Sequence, residues 1–99
     1  MWRTWLVYLV GLWVFVSGFV PGYPESLVHN GVFGLLAAGL GVWDALSGRP
    51  LMWGAAAGGL WLIASTPFLG GLWNNVLAGL VIAGFSFAAG LVWERRHSF

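Results

Sequence analysis

Glu25, Ser26 and His29 place the residue types of a hydrolytic triad within five positions. A serine nucleophile needs its base and the orienting carboxylate aligned in space, and three side chains on one turn rarely reach that geometry. A proton relay requires an acid near the middle of an apolar segment. Glu25, Asp44 and Glu94 all lie at segment ends instead. Arg49 follows Asp44 closely, which predicts an ion pair across a helix end. His29 and His97 are the only histidines and belong near opposite faces, too far apart to share a metal or a haem, and the chain has no cysteine to supply a thiolate. No catalytic, metal-binding or cofactor-binding residue is assigned on these grounds, and no cofactor is expected.

Two residue pairs draw attention by position. Asn30 and Asn75 each fall about one turn inside an apolar segment. An unpaired amide is costly there, so each is expected to hydrogen-bond to the turn of the opposite half of the chain, with a polar substrate or ion site as the alternative. Trp13 and Trp61 lie deeper in their segments than the other tryptophans. Each indole N–H needs an acceptor, and the rings suit either a packing or lipid-facing anchor or a surface on which a quinone, lipid or pigment stacks.

The elements that must position these residues are four apolar segments, about 5–20, 27–46, 51–66 and 72–93. Each approaches the ~20 residues that span ~30 Å of hydrocarbon. With 60% hydrophobic and 7% charged residues, the chain cannot cover a water-facing surface as soluble domains do. Pro21, Pro24, Pro50 and Pro67 are expected at or just beyond helix ends. Arg3, Arg49, Arg95 and Arg96 fall at the N-terminus, the second connector and the C-terminus, with no Lys or Arg in connectors one and three. That distribution predicts cytoplasmic termini on a multi-pass cell-membrane protein. A nucleic-acid partner has no electrostatic footprint, since the one basic cluster is Glu94-Arg95-Arg96-His97.

A shift of 48 residues lays Trp5 on Trp53, Gly11-Leu12-Trp13 on Gly59-Leu60-Trp61, and Ser17 on Ser65; a shift of 45 then pairs Asn30 with Asn75, Gly34-Leu35 with Gly79-Leu80, and Ala38-Gly39 with Ala83-Gly84. Self-similarity at a fixed period marks an internal repeat. The predicted fold is all-α: an integral membrane protein with four transmembrane helices, arranged as tandem parallel two-helix repeats over 1–48 and 49–99 within one membrane domain. Small residues at helix-face spacing predict close helix packing at Gly34, Ala38 and Gly41, at Gly54 and Gly58, and at Gly79, Ala83, Ser86 and Gly90.

Gly59-Leu60-Trp61, Ser65-Thr66-Pro67-Phe68, Trp73-Asn74 and Gly79-Leu80 resemble the motifs of the SPW-repeat family of small prokaryotic membrane proteins. In this chain Thr66 separates Ser65 from Pro67, Phe68 stands where that family has Trp, and the first copy reads Ser17-Gly18-Phe19-Val20-Pro21. The resemblance implies a fold and a membrane location and no activity. The expected function is therefore non-catalytic: an accessory or structural subunit whose partners are the lipid bilayer and either larger membrane subunits or further copies of itself. A small oligomeric transporter or channel is the alternative. Four-helix exporters of the small multidrug resistance type depend on a glutamate inside the first helix, and this chain has none there.

Overall fold

The computed structural model describes residues 2–20, 27–69 and 72–97, the side chains of 27, 69 and 93–97 aside. Pro21, Pro24, Glu25 and Ser26, and the side chains of Glu94, Arg95, Arg96 and His97, lie outside the described residues. Among the described residues four helices follow one another: α1 Trp2–Ser17, α2 Leu27–Leu46, α3 Met52–Leu69 and α4 Leu72–His97. One of them, over Leu72–Val92, is long and apolar enough by itself to cross a membrane; Trp2–Ser17 is apolar but shorter.

The helix ends follow from local chemistry. Beyond Ser17, Phe19 N–H donates to Val16 O and Val20 N–H to Ser17 O, tightening the chain so that α1 stops short of residue 20. At the end of α2, Gly48 takes φ +110°, a conformation a Cβ would strain. Its N–H bonds Ala45 O and the Arg49 N–H bonds Asp44 O, the pair of bonds of a Schellman turn. That turn brings Arg49 back over the residue it must neutralise. Pro50 precedes α3 as expected, whereas Pro67 does not stand beyond a helix end: α3 continues through it to Leu69. Proline there forfeits one bond to the carbonyl four residues back, and with the helix ending within the same turn the disruption stays local.

The bundle measures 45 × 21 × 16 Å between Cα atoms. Its most extensive contacts join α1 to α4 and α2 to α3, ahead of the pairs within each half, α1 with α2 and α3 with α4. The halves therefore interlock, each one's first helix lying on the other's second. Glycine makes both joints. A Cβ on Gly11 would lie 2.5 Å from Ala83 N, and Gly79 abuts the backbone of Phe15 and Gly11. In the other joint, a Cβ on Gly59 would lie 2.6 Å from Gly34 O and 2.7 Å from Ala38 N. Under the repeat shifts Gly11 corresponds to Gly59, Gly34 to Gly79, and Ala38 to Ala83. One backbone-to-backbone joint is thus built twice, with two helices close enough for dispersion and weak Cα–H···O contacts to act between main chains.

The remaining small residues have different neighbours. Gly41 faces the backbone of Ala56, Gly58 meets Ile82 and Val81, Gly54 lies under the Phe85 ring, and Gly90 lies under Trp5. Ser86 is buried and donates to Ile82 O at 2.6 Å within its own helix. Val7, Val14, Ala37, Ala55, Leu62 and Ile82 form the middle of a thin core.

Candidate functional site

Buried polar side chains gather at the two ends of the bundle. At the first, Asn30 and Asn75 each stand three residues after the start of α2 and α4, and neither exposes any surface. Their amides pair reciprocally: Asn30 Nδ2 donates to Asn75 Oδ1 at 3.0 Å and Asn75 Nδ2 to Asn30 Oδ1 at 3.1 Å. The second hydrogen of Asn30 goes to Thr66 Oγ1 at 2.9 Å and that of Asn75 to Ser17 Oγ at 3.2 Å. Those hydroxyls donate in turn to Leu62 O and Val14 O. All four amide hydrogens have acceptors, which removes the penalty of burying them. The pair also ties α2 to α4, helices that otherwise touch little.

Trp13 and Trp61 flank this cluster. Trp13 Nε1 donates to His29 Nε2 at 2.8 Å, and Trp61 Nε1 donates to Asn74 Oδ1 at 3.1 Å. His29 and Asn74 are related by the same shift as Asn30 and Asn75, so the repeat conserves the geometry of the indole bond while changing its acceptor. Because His29 Nε2 accepts, its proton resides on Nδ1, which lies 3.0 Å from Asn30 Oδ1. A directed chain of bonds thus runs Trp13, His29, Asn30. On the other side Asn74 Nδ2 donates to Ser65 Oγ at 2.9 Å.

The opposite end is charged. Asp44 is 0% exposed; Arg49 Nη1 donates to its Oδ1 at 2.7 Å, and the Thr4 hydroxyl donates to Oδ2. Arg3 Nε approaches Oδ1 at 3.5 Å without a hydrogen bond, and the guanidinium lies 4.4 Å from the Trp43 ring centre, a cation–π distance. The expected partner of Asp44, Arg49, is present; Thr4 and Arg3 join it from α1, sixteen residues long and with no acid in its first turn. Among the described residues, neither Thr4 nor Asp44 has a polar counterpart in the second half. The shifts carry Thr4 to Met52 and Asp44 to Ala89, both buried and apolar.

A family model described as SPW repeat domain matches residues 1–89. The chain belongs to the SPW repeat family. No curated protein and no solved structure matches it. SPW repeat proteins are membrane-associated, in keeping with an apolar α4. The match takes in both amides, Ser17, Thr66 and both indole bonds, so the paired end of this SPW chain lies wholly inside the family domain. Thr66, the residue inserted between Ser65 and Pro67, is the acceptor for Asn30. The SPW domain also contains the two glycine joints. Gly11 and Gly59 make closest approaches there yet are missing from the packing positions expected from spacing, because each stands in a segment with no second small residue four positions before or after it on α1, or is overshadowed by Gly58 on α3. Their correspondence under the repeat shift was the available signal.

Proposed function

We propose that this SPW repeat chain crosses the bilayer with all four helices and serves as a non-catalytic subunit packed against larger membrane partners or further copies of itself. The observation that carries the reading is an inverted distribution of polarity. Leu9, Leu35, Leu60 and Leu80, one from each helix, are all more than half exposed, while Thr4, Asn30, Asp44 and Asn75 are fully buried. In water that arrangement would expose apolar surface on every side at a large free-energy cost; in hydrocarbon it costs nothing and leaves the polar groups to pair inside. Among the described residues, the buried amides and the Asp44 carboxylate are engaged by other side chains of the bundle, which supports a role in contacts. In this reading the Asp44 end faces the cytoplasm, since Arg3 and Arg49 belong to it.

The test begins with native membranes: the chain should resist extraction by alkaline carbonate and co-purify with other membrane proteins, or as an oligomer, in mild detergent. Cysteine at Ser47 should be silent to a membrane-impermeant thiol reagent applied to intact cells. Solute flux through liposomes that contain the purified chain alone would replace the subunit reading with a transporter or channel.

A further inference from the structure

We infer that the Asp44 end holds an anionic phospholipid head group, bound through its phosphate at Arg3 between Trp2 and Trp43. The inference rests on the membrane-spanning reading above. One carboxylate there lies between two guanidinium groups. Its oxygens are engaged by Arg49 and Thr4, so Arg3 supplies charge to the cluster while its Nε donates no hydrogen bond there. The positive end of the α1 dipole adds to the same potential, because Arg3 stands in a first turn with no acid of its own, leaving Asp44 to answer the helix end and both guanidinium groups.

The faces of Trp43 at 4.4 Å and Trp2 at 5.8 Å attract the guanidinium but carry no net charge. The Arg3 side chain keeps 17% of its surface open, and both rings are more than half exposed beside it. An anion at this edge completes the charge balance and takes the fork of N–H donors that guanidinium offers to phosphate. The neighbouring surface distinguishes a lipid from a free ion. Leu6, three residues deeper than Arg3 on α1, and Leu36, seven residues deeper than Trp43 on α2, are exposed and offer acyl chains an apolar wall, and paired indoles suit head-group depth.

The experiment uses the full chain in a neutral detergent, titrated with phosphatidylglycerol, phosphatidylcholine or inorganic phosphate, with bound lipid counted by native mass spectrometry. Phosphatidylglycerol should half-saturate the wild type at about five-fold lower concentration than phosphatidylcholine, the ratio expected for one basic residue at an anionic surface. Arg3→Gln should erase that preference while leaving Asp44 paired with Arg49 and Thr4; Arg3→Lys should keep part of it. Equal binding of the two lipids by the wild type overturns the site, as does an undiminished preference in Arg3→Gln. If Arg3→Gln does not fold, the wild-type comparison and Arg3→Lys still decide. Displacement of phosphatidylglycerol by equimolar inorganic phosphate would make the ligand a soluble anion and defeat the lipid assignment. Release of the wild type from native membranes by alkaline carbonate would sink the spanning reading itself, whereas retention with no lipid preference would sink the head-group site alone.

Discussion

At one end of the bundle, two neutral amides, one from each repeat, exchange hydrogen bonds and spend their remaining donors on Ser17 and Thr66. At the other end, Arg3, Thr4 and Asp44 from the first repeat meet Arg49 from the connector, and the second repeat answers with Met52 and Ala89. The amide end can be built symmetrically because a pair of identical neutral groups satisfies itself across a pseudo-two-fold axis. A pair of identical carboxylates cannot, since like charges repel and each needs its own counterion in a poorly screening environment. The charged end is asymmetric for that reason: one acid suffices, and duplicating it would require duplicating its arginines.

The largest effect is expected where this asymmetry is attacked. Asp44→Ala leaves two arginines facing each other in a buried cluster and should cost about 3–5 kcal/mol, as removal of one partner of a buried ion pair does. Reversible unfolding in mixed micelles, followed by helical circular dichroism, measures it; wild-type stability would erase the distinction between the two ends.

Next come the glycine joints, which are common to both repeats and should respond alike. Gly11→Ala and Gly59→Ala each force a methyl against backbone atoms of a facing helix and should lose about 1–3 kcal/mol. Gly39→Ala and Gly84→Ala, where nothing lies within 4 Å, serve as matched controls and should not destabilise, Ala being the better helix former. A large difference between the Gly11 and Gly59 variants would mean that the joints are not energetic equivalents.

A smaller effect is expected at the amide pair. Asn30→Ala and Asn75→Ala should each cost about 1 kcal/mol, with the double variant little worse than either single one, because each amide is the other's main partner. Strict additivity in the double-mutant cycle is the outcome that breaks the reciprocal description. The smallest effect belongs to the indole bonds: Trp13→Phe and Trp61→Phe each delete one donor at a partly exposed ring and should cost less than about 1 kcal/mol. Indole N–H chemical shifts, read by NMR in micelles, should move for Trp13 on His29→Ala and for Trp61 on Asn74→Ala, each without moving the other.

The number of helices, both bounds of α2 and the start of α4 were legible in the 99 residues, since apolar run length is a local signal; α1 lies three residues nearer the N-terminus than expected, and α3 and α4 run three and four residues further. The need of Asn30, Asn75, Trp13 and Trp61 for partners was legible for the same reason: polarity in an apolar run demands an acceptor wherever the chain goes. The partners were not. That Asn30 meets Asn75 itself, that α1 packs on α4 and not chiefly on α2, and that Thr4 and Arg3 close around Asp44 across forty residues of chain depend on how the halves interlock. All four helices are apolar, and apolarity by itself does not choose among pairings. The choice was made by steric fit at a few glycines, where the absence of a side chain lets two particular backbones meet, and that fit exists only once the helices are side by side.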